Sequence, residues 1–144
     1  MARELTAEQA EFLARNHSAA MITVDAAGVA KAARVGVAVV DGRLWSSGTR
    51  DRVRTRRLRR DPRCSLFVFG GAYGWLTLES TVTLLDGPEA PELNVRLFRV
   101  MQSRPTGALS WFGGELEEDA FREQMVEEGR LVYQFEVEKA YGLV

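Results

Sequence analysis

Apolar residues along this chain follow a two-residue period over several stretches, which is the pattern of half-buried strands. The clearest case is residues 29–40, where Val35, Val37 and Val39 share one face. The dipeptide Asp41-Gly42 comes next and favours the tight turn of a β-hairpin. On the same criteria we predict six strands, over 19–25, 29–40, 43–49, 63–69, 75–87 and 130–144.

Helical periodicity occupies the intervals between these strands. Thr6 and Gln9 form a T-x-x-Q capping box, which predicts a first helix over Ala7–Arg15. We predict three more helices, over 88–102, over 117–128, and from Arg52, with Asp51 as N-cap, to about Asp61-Pro62. Strands in hairpin order with short helices between them predict a mainly β (α+β) fold, a closed antiparallel barrel carrying helices.

Composition and length narrow the class of protein. The 144 residues suit one domain, 1–144, and 46% hydrophobic with 27% charged residues is typical of a soluble globular protein. No apolar run approaches the ~20 residues of a membrane span, and the first residues are charged rather than shaped like a signal peptide. We therefore expect a cytoplasmic protein.

Histidine and cysteine, which commonly serve as catalytic groups or metal ligands, are scarce in this chain. The chain has one histidine, His17, and one cysteine, Cys64, so neither a histidine-rich metal site nor a disulfide is expected. His17 follows the first helix, which favours a capping or surface role, and Cys64 lies in an apolar strand pattern typical of the core. Two glycine-rich motifs bind nucleotide phosphates, G-x-x-x-x-G-K-S/T and G-x-G-x-x-G, and neither occurs. We therefore assign no catalytic and no metal-binding side chain, and any redox chemistry would have to come from a bound cofactor.

Arginine is concentrated in one short segment, Arg50–Arg63. It contains eight arginines and two aspartates, a net charge of +6, while the rest of the chain carries −7. Three interpretations compete: a nucleic-acid patch, a binding site for a phosphorylated small molecule, and a solvated helix face. No aromatic residue interleaves with these arginines, which disfavours nucleic acid.

A helix begun at Arg52 sorts the arginines by direction, at about 100° per residue. An outer arginine face, defined here as Arg52, Arg56, Arg59 and Arg60, spans about 100°. Arg54 lies opposite, about 40° from the core-facing Leu58, and Arg57 lies between them on the side of Val53. A buried charge requires a counter-charge, so Arg54 needs either a ligand phosphate or a structural carboxylate such as Glu79. Ser47 and Thr49 add hydroxyls just before the helix, and Gly48 permits close approach.

The segments "RLWSSGT", "RDRVRTRRLRRDPRCSLFVF", "GWLTLESTVTLL" and "AYGL" together resemble a known family. They are similar to pyridoxamine 5′-phosphate oxidase-like proteins, whose fold is the FMN-binding split β-barrel. The match is strongest to the B branch of the flavin/deazaflavin oxidoreductases, which occur in actinobacteria and use coenzyme F420. The resemblance covers nearly the whole chain in the order and length of its elements.

The resemblance implies a homodimer with two cofactor sites at the subunit interface. It implies that Arg54, helped by Arg52, binds the cofactor phosphate, and that the ribityl chain runs along residues 46–49. The deazaflavin ring would lie by residues 34–37. Tyr73 and Trp75 are candidates to line its slot, and Trp111 and Phe112 to cover it, with core or interface packing as the alternative and more common role of such side chains. The expected cofactor-binding residues are Arg34, Val35, Gly36, Ser46, Ser47, Gly48, Thr49, Arg52, Val53, Arg54, Arg57 and Trp75. The implied reaction is hydride transfer between a reduced deazaflavin and an unsaturated small organic substrate.

Three positions depart from the family pattern. Arg54 and Arg57 stand where the family usually has lysine and asparagine, and Ser80 replaces a common glycine. Arginine also holds phosphate, in a bidentate manner. Two alternatives stay open beside the F420-dependent enzyme: an FMN-binding relative, and a protein that holds F420 without turning it over.

Overall fold

Six antiparallel strands close into a barrel in the computed structural model of this protein, which describes residues 4–144. The barrel strands are β1 (Ser18–Val24), β2 (Ala30–Val40), β3 (Arg43–Thr49), β4 (Arg63–Phe69), β5 (Trp75–Leu85) and β8 (Arg130–Leu143). Around the barrel their order is β1-β2-β3-β8-β5-β4, and β1 pairs with β4 to close it. The predicted barrel is confirmed. Residues 1–3 of the predicted domain lie outside the described range.

Four helices and a small hairpin decorate the barrel within residues 4–144. The helices are α1 (Ala7–Arg15), α2 (Val53–Arg60), α3 (Ala90–Gln102) and α4 (Glu118–Glu127), and the hairpin strands are β6 (Leu109–Trp111) and β7 (Gly114–Leu116). No helix in the described part of the chain has the length and apolar character needed to cross a membrane.

Alternation along the strands fills the barrel interior as the sequence predicted. Val35 and Val37 of β2 and Leu76 and Leu78 of β5 are buried in one apolar cluster. Helix α1 closes one side of it with Phe12 and Leu13, and the Thr6–Gln9 capping box forms as expected. The interior is therefore a packed core, and a ligand would have to bind on the outside of the barrel.

Helices α3 and α4 cover part of the outer surface. Leu97 of α3 packs on Trp45 and Val132 in a second apolar cluster, and Phe121 of α4 packs on Val95 in a third. Only one stretch of the barrel wall lies under α3. The strands that run through it are β2, β3 and β8. Two of them, β3 and β8, meet beside the arginine segment, where Thr49 pairs with Arg130.

The start of α2 differs from the prediction. Its N-cap is Arg52 rather than Asp51, and no side chain caps it. The reason is a turn that the sequence pattern did not indicate: the Arg52 amide donates to the Thr49 carbonyl at 3.3 Å, so the first helical residue is Val53. The hairpin β6–β7 was also not predicted, because its turn places Phe112 at φ 45°, where glycine or asparagine is expected.

Candidate cofactor-binding site

Three chain segments meet where β3 ends. Thr49 pairs with Arg130 at the start of β8, and the Arg50 amide donates to the Gly129 carbonyl at 3.0 Å. Three residues later α2 begins at Val53. The end of β3, the first turn of α2 and the start of β8 therefore form one continuous patch, held by main-chain hydrogen bonds.

Arg54 lies on the inner side of α2, as the helical periodicity predicted. The side chain is half-buried, and its Nε is fully buried without a hydrogen-bond partner in residues 4–144. Burial lowers the pKa of Arg54, while the neighbouring phenol of Tyr133 favours the charged form. A half-buried guanidinium without a carboxylate partner favours a bound anion, which would meet the exposed part of the group.

The carboxylate considered as an alternative partner for Arg54 is engaged elsewhere. Glu79 accepts a hydrogen bond from the hydroxyl of Tyr141 at 3.0 Å. Besides burial, the groups that influence the pKa of Arg54 are Tyr133, Arg52 and Arg130, and none is a carboxylate. The structure therefore contradicts a structural Arg54–Glu79 pair.

The outer arginine face points to solvent, and part of it is already paired. All four of its residues are exposed, but Arg59 contacts the carboxylate of Asp86 at 3.2 Å and Arg60 donates to the Val24 carbonyl at 2.8 Å. Arg50 forms a second ion pair with Asp86 at 2.6 Å, although without the angle of a hydrogen bond. Several of these arginines thus stabilise the connection of α2 to the barrel.

The remaining arginines of the segment, and Val53, have simpler surroundings. Arg63 donates to both carboxylate oxygens of Asp61, and this contact lowers the pKa of Asp61 to about 2. Arg57 is half-buried, and the predicted site residue Val53 is 52% exposed beside it. Val53 therefore offers an apolar contact at the edge of the site.

Gly48 packs directly against a side chain of β8. Its Cα lies against the ring and hydroxyl of Tyr133, which occupy the space that a β-carbon would need. The Tyr133 hydroxyl also makes a short contact with Oγ1 of Thr55, and Thr55 donates to the Thr49 carbonyl at 2.7 Å. Tyr133 and Thr55 are fully buried. This pair joins the barrel to α2 directly beneath Arg54.

The serines of β3 make contacts within the protein. Ser46 is fully buried and donates to the Gly36 carbonyl at 2.6 Å. Ser47 donates to the side-chain oxygen of the buried Asn94 at 2.6 Å. Both hydroxyl protons are therefore committed to internal acceptors. Thr49 is half-exposed at the strand end.

The predicted ring-side residues of β2 alternate between its outer surface and the barrel core. Arg34 and Gly36 are exposed, whereas Val35 points into the barrel core. A β-carbon at Gly36 would come within 2.8 Å of the sulfur of Met101, so this methionine borders the surface where the ring was expected. Met101 was not identified from the sequence.

His17 lies beside the same surface. Its Nδ1 is 2.9 Å from the Val37 carbonyl, and the ring is half-buried. The expected capping role of His17 is wrong, because the C-cap of α1 is Asn16, whose amide donates to the Phe12 carbonyl at 2.9 Å. The histidine instead ties the start of β1 to β2.

Trp75 is separated from the other predicted residues. It lies on β5, which in the barrel order is opposite β2, and it stacks on Phe67 with ring centroids 5.6 Å apart. Phe69 and Tyr141 adjoin this pair, at 6.0 Å from Phe67 and 6.4 Å from Trp75. We call these four residues the aromatic face. Phe67, Phe69 and Tyr141 are each exposed by 36% or more. Trp75 also pairs with Leu143, at the far end of β8 from Tyr133, so one subunit does not bring Trp75 to Arg54.

Arg130 is a further cation of the site. The sequence analysis did not identify it. Its side chain is 9% exposed, its Nε donates to Glu128 at 2.9 Å, and its guanidinium lies over the Trp111 ring at 5.0 Å. It is near enough to lower the pKa of Arg54. Position 130 showed no such role in the sequence, because it begins an ordinary alternating strand.

The residues expected to cover the ring behave differently from each other. Trp111 packs in the third apolar cluster and donates from Nε1 to Glu128 at 3.1 Å. Phe112 at the hairpin tip is 85% exposed, as is Tyr73 by 87% in the loop before β5. Trp111 is thus part of the support for Arg130, while Phe112 and Tyr73 are available for contact.

Other kinds of site are not indicated in the described residues. No group of three or more His, Cys, Asp or Glu side chains is placed to hold a metal ion within 4–144. Burial raises the pKa of the Cys64 thiol to about 12, which suits a core residue and not a nucleophile. A cavity of about 750 Å³ lies at the far end of β3, between α1 and the β2–β3 turn, and none of the predicted site residues lines it.

Residues 5–143 match the family described as pyridoxamine 5′-phosphate oxidase. The chain belongs to this family. A search among curated protein sequences found no match. The family assignment agrees with the split barrel and with the strand order reported above.

Solved structures share the fold at low sequence identity. The conserved hypothetical protein Rv2991 from Mycobacterium tuberculosis is 20% identical with a TM-score of 0.75, over 99% of this chain and 86% of the other. An F420 reductase is 16% identical with a TM-score of 0.68, over 91% and 94%. An FAD-binding protein from Mesorhizobium loti is 16% identical with a TM-score of 0.64, over 99% and 96%. At these identities the likeness concerns the fold.

Proposed function

We propose that this protein is an oxidoreductase that binds coenzyme F420 and transfers a hydride to an unsaturated small organic substrate. The observation that carries the proposal is the half-buried guanidinium of Arg54 at the start of α2, which has no carboxylate partner in residues 4–144. A phosphate at this point would pair with that charge and accept hydrogen bonds from the first-turn amides of a helix that no side chain caps. Such a site favours an anion, and phosphate would fit it by charge and by hydrogen bonding.

Arg52 and Arg130 support the same assignment. Both are close enough to lower the pKa of Arg54, so three positive charges lie near each other. Glu128 pairs with one of them, Arg130, at 2.9 Å. The excess positive charge would attract a ligand phosphate and disfavour an uncharged ligand.

The choice of F420 over FMN rests on the arginine-rich pattern of α2 and its resemblance to the deazaflavin branch. That an F420 reductase has the same fold is compatible with the choice. FMN is the second candidate, since the family includes the pyridoxamine 5′-phosphate oxidases and an FAD-binding protein also shares the fold. Either cofactor would supply the hydride chemistry when bound.

The chain's own residues would bind and orient rather than exchange protons. Arg54 and Arg52 would hold the phosphate, and the exposed surface of Gly36 and Met101 would meet the ring. The described site contains one histidine, His17, and its Nδ1 already faces a carbonyl. Hydride transfer suits such a site because it depends on orientation and exclusion of water.

We further propose a homodimer in which the aromatic face of one subunit completes the site of its partner. Trp75 cannot reach Arg54 within one subunit, because it pairs with Leu143 at the far end of β8 from Tyr133, which lies beneath Arg54. Three large aromatic side chains of this face are exposed, which is unusual unless another surface covers them. A twofold dimer would bury the face and bring Trp75 to a ring bound at the partner's β2.

Fluorescence titration with F420 and FMN side by side tests the cofactor. We expect saturable binding of F420 at one site per subunit, tighter than binding of FMN. Oxidation of reduced F420 by a panel of activated alkenes, followed by deazaflavin absorbance, then tests the reaction. Binding of FMN alone would establish the second candidate. Binding of neither cofactor would overturn the proposal, and binding of F420 without turnover of any acceptor would leave a carrier in place of an enzyme.

A further inference from the structure

We infer that Tyr133 is a positioning residue of the phosphate site, which holds the Arg54 guanidinium in place without neutralising its charge. The inference rests on the proposed binding of a cofactor phosphate by Arg54. Tyr133 lies on β8, and the sequence pattern that predicted the site did not include it.

Counting protons fixes the direction of the hydrogen bonds beneath Arg54. The Thr55 hydroxyl has one proton, and it donates this proton to the Thr49 carbonyl at 2.7 Å. In its contact with Tyr133, Thr55 must then accept, so Tyr133 is the donor. The proton of the Tyr133 hydroxyl therefore points toward Thr55, and only its oxygen lone pairs remain for Arg54.

A neutral acceptor at this point has a specific advantage. Tyr133 favours the charged form of Arg54 against the effect of burial, while the Nε of Arg54 itself has no hydrogen-bond partner in residues 4–144. A carboxylate would orient the guanidinium more strongly, but it would also cancel the charge that an incoming phosphate needs. A phenol oxygen orients the group and leaves its full charge and the exposed part of the guanidinium for the ligand.

The surroundings of Tyr133 leave it little freedom. The side chain is fully buried, its ring lies 6.5 Å from that of Phe135, and the absence of a side chain at Gly48 provides the space for its hydroxyl. Thr55 is equally buried, and its hydroxyl donates to the Thr49 carbonyl and contacts the Tyr133 hydroxyl. Such a rigid support keeps Arg54 in one conformation before the ligand arrives, which reduces the entropy cost of binding.

Removal of single hydroxyl groups tests this role, with phosphate-bearing and phosphate-free cofactors as paired probes. The probes are F420 against its deazaflavin core without the phosphate side chain, and FMN against riboflavin. We expect Tyr133→Phe to weaken binding of the phosphate-bearing cofactor about five- to tenfold and to change binding of the phosphate-free one less than about twofold. Thr55→Val should have the same selective effect, and Thr55→Ser, which keeps the hydroxyl, should bind like the wild type.

Each outcome bears on a different claim. Equal losses for the two members of a cofactor pair would show that Tyr133 serves only the fold, and unchanged affinities in both Tyr133→Phe and Thr55→Val would also overturn the inference. Urea unfolding of each variant identifies a general loss of structure, and Thr55→Val provides the second path should Tyr133→Phe be unstable. If Arg54→Ala lost the preference for the phosphate-bearing over the phosphate-free cofactor and Tyr133→Phe kept it, the positioning role alone would be refuted. No effect of Arg54→Ala would refute the phosphate site itself.

Discussion

The hydroxyl of Tyr133 lies where the β-carbon of any residue other than glycine at position 48 would be. The two residues belong to β3 and β8, which pair directly so that Ser46 is opposite Tyr133. Gly48 is therefore required for space and not for an unusual backbone angle. The same hydroxyl contacts Thr55, so the fit at Gly48 fixes the distance between the barrel and α2.

Gly48→Ala should destabilise the protein by about 1–3 kcal/mol, because the added methyl forces the buried Tyr133 ring out of its place. The matched control is Gly71→Ala, where a β-carbon would meet nothing within 4 Å and the backbone is not left-handed. We expect the control to change stability by less than about 1 kcal/mol. Urea unfolding monitored by circular dichroism measures both. Equal stability of the two variants would contradict the packing described here.

Arg54→Ala should weaken cofactor binding by about 1.5–3 kcal/mol, as expected for the loss of a charge-assisted hydrogen bond. Arg56→Ala is the matched control on the same helix, since Arg56 is exposed, and it should change binding by less than about 0.5 kcal/mol. Arg52→Ala should lie between the two. Arg59→Ala and Arg60→Ala should resemble the control in binding. Equal losses at all positions would indicate a diffuse basic surface in place of a defined site.

The protein should be a dimer in solution that buries well over ~2,000 Å² in total. Light scattering at micromolar concentration measures the mass. Phe67→Asp places a charge in the aromatic face and should shift the mass toward the monomer, because a buried unpaired carboxylate is costly. Val126→Asp on α4, where the valine is 62% exposed, is the control and should leave the mass unchanged. A monomeric wild type would remove the basis for a site shared between subunits.

Cys64 should be unreactive in the native protein. Burial raises the pKa of its thiol to about 12, so at pH 8 roughly one thiol in ten thousand is a thiolate. A chromogenic disulfide reagent at pH 8 should label the native protein slowly and the urea-unfolded protein rapidly and completely. The native rate should rise as the pH rises toward 12. Fast stoichiometric labelling at pH 8 without denaturant would show that the residue is accessible.

Local sequence periodicity was sufficient to predict the barrel strands and the inward orientation of Arg54. The two-residue period predicted all six barrel strands, to within two residues at each end. Helical periodicity placed Arg54 on the side of Leu58 and directed the outer arginine face to solvent, as the structure has them. These features depend on neighbours within a few positions, and such neighbours are visible in the sequence.

The groups that complete the site come from distant parts of the chain. Asn94 meets Ser47 across 47 positions, and Tyr133 meets Thr55 across 78. The pairing of β3 with β8 sets the Tyr133 contact, and the packing of α3 on the barrel sets the Asn94 contact. The pairing of Trp75 with Leu143, at the far end of β8 from Tyr133, separates Trp75 from Arg54. The sequence by itself determined which residues alternate into the core and which arginine turns inward. Only the tertiary structure decided which buried hydroxyl supports that arginine, because strand order and register arise from long-range pairing that no local period encodes.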